Sequence, residues 1–147
     1  MIRRYGNPPR PGQRHGLRPG AYALLARDGR LLLTRQSEPE PEFQLPGGGI
    51  DKGESGLRAL HREVFEETGW TIGKARWLGS YRRFAIMPDH GRFAEKLCHV
   101  WIARPVLRLS GPTEPHHSAH WASPLAALDL LADPGARAFL ARFRDLV

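Results

Sequence analysis

Apolar residues follow two rhythms along the chain. Ala21–Arg27 (AYALLAR) and Arg30–Arg35 (RLLLTR) are short apolar runs on either side of Asp28-Gly29. An Asp-Gly pair in that setting predicts a β-hairpin. Phe43–Leu45 reads as a further short strand that leads into Pro46 and the glycines Gly47, Gly48 and Gly49. From Ser55 the period lengthens. Leu57, Leu60 and Val64 recur at helical spacing and Gly69 closes the run, so a helix is expected over Ser55–Thr68 with those three side chains on its core face. Arg76–Ala85 and Leu97–Arg104 read as strands joined by a polar loop containing Pro88-Asp89-His90-Gly91. Val106–Leu109 reads as another short strand, Gly111–His120 as a loop, and Pro124–Leu131 and Gly135–Leu146 as helices divided by Asp133-Pro134. Irregular alternation of this kind predicts an α/β (α+β) sandwich built on a mixed sheet.

At 147 residues the chain fits one core and not two. Residues 1–19, rich in proline, glycine and arginine, are expected to be a basic arm packed along the edge of a single domain spanning 20–147. No uncharged apolar run approaches the roughly 20 residues of a membrane span, so no membrane partner is expected. The charged start lacks the apolar block of a secretory signal. The single cysteine, Cys98, reads as a small buried apolar residue, and a reducing, cytoplasmic location is expected. The 22 Lys+Arg against 15 Asp+Glu give a net charge of +7. That surplus attracts polyanions, either nucleic acids or free nucleotides, and does not choose between them.

The chemistry concentrates in Gly47–Trp70, GGGIDKGESGLRALHREVFEETGW. Glu63, Glu66 and Glu67 stand at i, i+3 and i+4, which puts three carboxylates on one helical face. Like charges so close oppose the helix, and they lie near its C-terminal end, where the dipole also disfavours them. A bound divalent cation reverses both effects. Oxygen-only donors suit Mg2+ or Mn2+ rather than zinc. The glycines before the helix let backbone approach a ligand, and exposed carbonyls there complete an oxygen shell. Arg62 is placed to pair with a carboxylate and hold it. Ala59, one turn before Glu63, is expected to leave the acidic face uncrowded.

The joint pattern is G-x5-E-x7-R-E-V-x-E-E-x-G, with Gly48, Glu54, Arg62, Glu63, Val64, Glu66, Glu67 and Gly69 in the fixed places. It resembles the Nudix box, the signature of the MutT-like Nudix hydrolase superfamily. The departure is Trp70, where the family usually has Ile, Leu or Val. The resemblance implies a Nudix-type α/β/α sandwich with a mixed sheet and a loop–helix–loop site. It implies Mg2+- or Mn2+-dependent hydrolysis of a diphosphate linkage in a nucleoside diphosphate derivative. By position, Glu63, Glu66, Glu67 and the Gly47 carbonyl are the implied metal ligands. Glu63 is also the first candidate for general base, and Arg62 orients it. Glu54 is the structural partner of Arg62, and Arg35 matches a position that touches substrate phosphate.

Outside the box, Glu114 is the first candidate for an extra base or ligand and Glu95 the second. His116, His117 and His120 lack the periodicity of a metal site and fit a substrate contact better. Arg82, Arg83 and Arg92 are candidates for a phosphate cleft. Trp77, Trp101 and Trp121 read as core, and Phe84 and Phe93 are open. The alternative function is a non-catalytic nucleotide or nucleic-acid binding module on the same fold. Three clustered carboxylates favour the enzyme acting on a small nucleotide diphosphate, because an anion binder gains nothing from them without a metal. A homodimer is common among such folds, but no interface is legible. The residues after the box do not fix the substrate: Pro88 and Tyr81 each miss the spacing of a known subgroup.

Overall fold

The computed structural model describes residues 2–12, 15–87 and 92–147, without the side chains at 86, 87, 92 and 93. Pro88-Asp89-His90-Gly91 and the side chains of Arg92 and Phe93 lie outside the described residues. Among the described residues, eight strands form one mixed sheet: β1 (Arg3–Tyr5), β2 (His15–Arg27), β3 (Arg30–Gln36), β4 (Glu42–Gln44), β5 (Gly47–Gly49), β6 (Trp70–Met87), β7 (Arg92–Arg108) and β8 (His117–Ala122). Helix α1 (Gly56–Thr68) follows β5, and α2 (Pro124–Leu130) and α3 (Pro134–Phe143) close the chain. The sheet runs β1-β6-β7-β2-β3-β4, with β5 also on β2 and β8 also on β3.

Strand alternation sends the side chains of β2 and β3 into two separate cores. Leu24, Leu31 and Leu33 pack with Ala127, Leu131, Ala136 and Leu140 of the α2–α3 side. Ala21, Ala23, Leu25 and Leu32 pack with Ala59, Leu60 and Val64 of α1. The result is the expected α/β/α sandwich. Ala59 is therefore a core residue, whereas Leu57, expected in the core, is 43% exposed.

Several segments are longer than the apolar pattern predicts. β2 begins at His15 and pairs in parallel with β7 from Phe93 onward, so the boundary expected after residue 19 falls inside a strand. Arg3–Tyr5 joins the sheet edge as β1, parallel to β6. Its anchor is the Glu95 carboxylate, which accepts from Arg4 Nε at 2.9 Å. Val106–Leu109 is no separate strand: Val106–Arg108 continue β7 through Pro105. Proline is tolerated there because β2 pairs with β7 only as far as Ala103, leaving no neighbour on that side to need its missing N–H. Trp77 is 58% exposed rather than core. Trp70 fits its position by meeting Trp121 edge to face, with centroids 5.7 Å apart, and Arg27 lies over its ring.

Candidate active site

The site forms where β2 and β3 diverge. The two strands pair only over Leu25–Arg27 and Arg30–Leu32, and β5 fills part of the gap beside β2. Ala23 N–H donates to the Pro46 carbonyl and Ile50 N–H to the Pro19 carbonyl. Opposed residues of an antiparallel ladder alternate between bonded and non-bonded. Gly47, opposite Tyr22, is thus a non-bonded position, and both its N–H and its carbonyl point away from β2. The N–H donates to Glu67 Oε1 at 2.8 Å, so the carbonyl faces the acidic side of α1.

Helix α1 starts at Ser55, whose Oγ accepts from Arg58 N–H at 3.1 Å, and ends at Gly69 in the left-handed region, φ 78°. Its acidic face meets the glycine strand directly. A Cβ on Gly48 would stand 2.5 Å from Glu63 Cδ, so only glycine admits the carboxylate there. Glu67 is 5% exposed. Its second oxygen lies 3.3 Å from His117 Nδ1, which also contacts Thr34 Oγ1 at 2.9 Å. Glu66 Oε2 lies 3.5 Å from Arg62 Nη1.

Arg62 organises the near side. Its Nε donates to Glu54 Oε2 at 2.9 Å and its Nη2 to Glu54 Oε1 at 2.8 Å. Nη2 also donates to the Gly49 carbonyl at 3.0 Å, and Nη1 donates to Glu63 Oε1 at 2.9 Å. The bidentate pair holds the Glu54 carboxyl down at about 2, against a usual 4.5. A depressed carboxyl adds stability that is complete above the unfolded value and is lost as pH falls through the folded one. The thermal midpoint of wild type should therefore exceed that of Glu54→Gln by a margin constant above about pH 4.5 and shrinking toward pH 2. A pH-independent margin across that window in thermal melts contradicts the assignment.

The loop before β8 supplies a fourth acid. The last carbonyls of a helix lack internal partners, and the Glu66 carbonyl accepts from both Thr113 N–H and Glu114 N–H, each at 2.8 Å. This carries Glu114 to the mouth of the carboxylate cluster. Burial pushes the Glu63 carboxyl up against the lowering by Arg62, and Glu66 and Glu114 add to the rise. Burial raises Glu67 further, with Glu63, Glu114 and Glu66 all contributing. Burial lowers His117, so its ring is neutral at pH 7.

Glu63, Glu67, Glu114, His117 and Gly47–Gly49 line a cavity of about 500 Å3 that extends to Tyr22, Tyr81 and Asp133. A shallower groove of about 600 Å3 on the outer side of α1, beside Leu57 and His61, is lined by none of the three cavity acids. On the acidic side of the cavity Glu63, Glu67 and Glu114 gather beside the Gly47–Gly49 backbone, a donor set dominated by oxygen. That chemistry fits a hard divalent cation. The side chains are turned to protein partners: Glu63 to Arg62, and Glu67 to Gly47 and His117. Among the described residues, no three His, Cys, Asp or Glu side chains converge tightly enough to hold an ion as they stand.

Other sequence candidates fall elsewhere. Arg35 shares its sheet face with Leu31 and Leu33 by alternation, and it does not line the cavity. The residue of β3 that does is Gln36. Glu95 is committed to Arg4, His15 and Arg82, with Arg82 Nε at 3.5 Å, and stays outside the cavity. Arg83 lines the cavity; Arg82 does not. His116 faces Glu38, and His120 contacts Ser118 Oγ, so the three histidines diverge. Of the three histidines weighed as a substrate contact, His117 lines the cavity, and Tyr22 lines it without having been singled out. Tyr22 carried no signal beyond its place opposite the glycine strand.

A family model described as the NUDIX domain matches residues 15–143. The chain belongs to the NUDIX family. Among NUDIX structures, a hydrolase from Nitrosomonas europaea superposes with TM-score 0.71 at 20% identity over 87% of this chain and 88% of its own, which speaks to the fold. A MutT protein from Methanosarcina mazei Go1 gives TM-score 0.68 at 26% identity over 89% and 95%. Among curated relatives, an RNA pyrophosphohydrolase of Sphingopyxis alaskensis is 40% identical over 50% of this chain and 49% of its own length. An ADP-ribose pyrophosphatase of Bacillus subtilis is 33% identical over 58% and 45%. The chain spans about half the length of the curated relatives it matches.

Proposed function

We propose that this NUDIX chain hydrolyses a diphosphate linkage in a nucleoside diphosphate derivative, with Mg2+ or Mn2+ as its cofactor. The observation that carries the reading is the buried carboxylate cluster. Glu63 and Glu67 meet the glycine strand, Glu114 is delivered by the cap of α1, and Arg62 pairs with Glu63. Such a cluster is costly by itself and useful once a cation neutralises it. Glu63, Glu66, Glu67 and the Gly47 carbonyl would hold the ion, with Glu114 beside them. When bound, a divalent ion offsets the charge of the diphosphate and acidifies water at the site. Arg62 fixes one oxygen of Glu63 and leaves the other toward Gly48 and the cavity. That free oxygen accepts the proton of a water attacking phosphorus. Glu67, held by Gly47 and His117, fixes the position of the glycine strand against the helix. No covalent nucleophile is required, since Ser55 serves as a helix cap.

The names of the relatives support the class of linkage and differ in substrate. A panel of deoxynucleoside triphosphates, ADP-ribose, dinucleoside polyphosphates and capped RNA, with products read by mass, tests the proposal. Divalent-dependent cleavage of a phosphoanhydride in at least one substrate is expected. No cleavage with either Mg2+ or Mn2+ favours the binding-module alternative.

A further inference from the structure

Arg62 pairs with Glu63 and Glu66, whereas Glu67 is gripped by other means, and that grip starts in the sheet. β3 pairs antiparallel with β8, with Gln36 opposite His117 and Thr34 opposite Ala119. Leu32 of β3 and Ala119 and Trp121 of β8 pack in the core beneath α1. Alternation therefore turns Thr34 and His117 toward the helix as well, as diagonal neighbours on one face. Thr34 is fully buried, and its hydroxyl meets one side-chain partner among the described residues, His117 Nδ1 at 2.9 Å. The same nitrogen lies 3.3 Å from Glu67 Oε2, and the His117 and Glu67 side chains are 11% and 7% exposed. Glu67 Oε1 accepts from Gly47 N–H at 2.8 Å. Each oxygen of the carboxylate thus faces a nitrogen, one on the glycine strand and one on β8.

The neighbours of Nδ1 decide where the ring carries its proton. A bare Nδ1 would set its lone pair against a carboxylate oxygen, an unfavourable contact in a buried place. A proton on Nδ1 faces two acceptors instead, Glu67 Oε2 and Thr34 Oγ1. This holds for the neutral ring and the charged one alike, because imidazolium carries both protons. The hydroxyl has a second effect. A half-turn of the ring about χ2 would put carbon in place of Nδ1 at both contacts and leave the buried hydroxyl unpaired, which is costly. Valine in place of Thr34 would remove that cost and free the ring to turn.

Resting on the hydrolase reading above, we infer that His117 is a positioning residue: its Nδ1–H, locked by the Thr34 hydroxyl, holds the Glu67 carboxylate in place for the divalent cation. The histidine acts through Glu67 and not on substrate. A ligand already held by an outer partner need not be ordered when the ion arrives, and loss of such a partner costs about 10- to 100-fold in metal affinity.

Calorimetric titration of Mg2+ into the full chain, with a non-hydrolysable nucleoside diphosphate analogue present, reads the effect apart from turnover. His117→Leu and Thr34→Val should each weaken Mg2+ uptake about 10- to 100-fold. Thr34→Val swaps only the hydroxyl for a methyl group and keeps the test open if His117→Leu fails to fold. His117→Asn should restore most of the affinity, because its amide nitrogen, like Nδ1, is bonded to Cγ. His117→Gln, whose nitrogen stands one bond further out, should not. Thermal melts without metal separate this pattern from loss of fold, since a merely structural role would rank the variants by melting temperature and not by the place of their nitrogen. In 15N NMR of the wild type with Mg2+ bound, His117 should carry a proton on Nδ1. Affinity unchanged in His117→Leu and Thr34→Val, equal loss in His117→Asn and His117→Gln, or a ring protonated on Nε2 alone overturns the inference. Wild type that takes up no Mg2+ overturns the metal-dependent hydrolase reading and this inference with it. Uptake that the variants match overturns this inference alone.

Discussion

Glu63→Gln should lower divalent-dependent phosphate release by about 10²- to 10⁴-fold, the usual contribution of a positioned general base. The amide keeps the shape of the carboxylate, and its oxygen still accepts from Arg62 Nη1, now 2.9 Å from Glu63 Oε1. The fold should therefore survive, and the thermal midpoint should hold or rise because one charge leaves a crowded acidic face. Steady-state kinetics beside a thermal melt read both. Turnover unchanged in Glu63→Gln but lost in Glu114→Gln would move the base to the loop acid, which the cap of α1 holds within reach of the same cavity. The pairing of the two variants makes the assignment specific to a residue rather than to the cluster.

Gly69→Ala should be strongly destabilising. The residue sits at φ 78°, and a Cβ there would stand 1.9 Å from the Ser110 carbonyl oxygen, a backbone atom. Left-handed backbone costs a non-glycine residue about 1–2 kcal/mol, and relief of the clash requires the 109–114 segment to move. Leu109 N–H and Ser110 N–H both donate to the Gly69 carbonyl, at 2.9 and 3.4 Å, so those bonds are strained with it. A loss of at least about 2 kcal/mol, or a fall in Tm of at least roughly 4–8 °C, is expected. The same movement pulls Glu114 off the Glu66 carbonyl, so activity should fall beyond what the lost stability explains. A melt within about 1 °C of wild type would show that the loop accommodates the methyl group and that the cap of α1 does not set the position of Glu114.

The parts of the fold legible in sequence are those with side chains that speak. Asp28-Gly29 announced the β2–β3 hairpin, and Leu60, Val64 and Gly69 announced α1 and its stop. Asp133-Pro134 divided the last two helices. β5 was invisible because Gly47–Gly49 have no side chains to alternate. Its strand character comes from pairing with β2. The first four residues of β8, His117–His120, were read as loop because they carry no large apolar residue, and their order comes from pairing with Leu33–Gln36. The extension of β2 over 15–19 is exposed, so no apolar rhythm marks it, and the start of β7 carries the charged Glu95 and Lys96, which break any apolar run there. The carboxylate face was legible because helical spacing is a local property. Arg35 was misplaced because its neighbour Gln36, one position on, is the residue that alternation turns into the cavity. The contribution of Glu114 depends on a backbone bond to Glu66 across 48 residues of chain, which no local pattern encodes.

Calorimetric titration of Mg2+ into the purified chain, with a non-hydrolysable nucleoside diphosphate analogue present, tests the central claim most directly. Saturable uptake that is abolished in Glu67→Gln is the predicted result. No uptake, or uptake of equal affinity in that variant, would contradict a cation held between the glycine strand and the acidic face of α1.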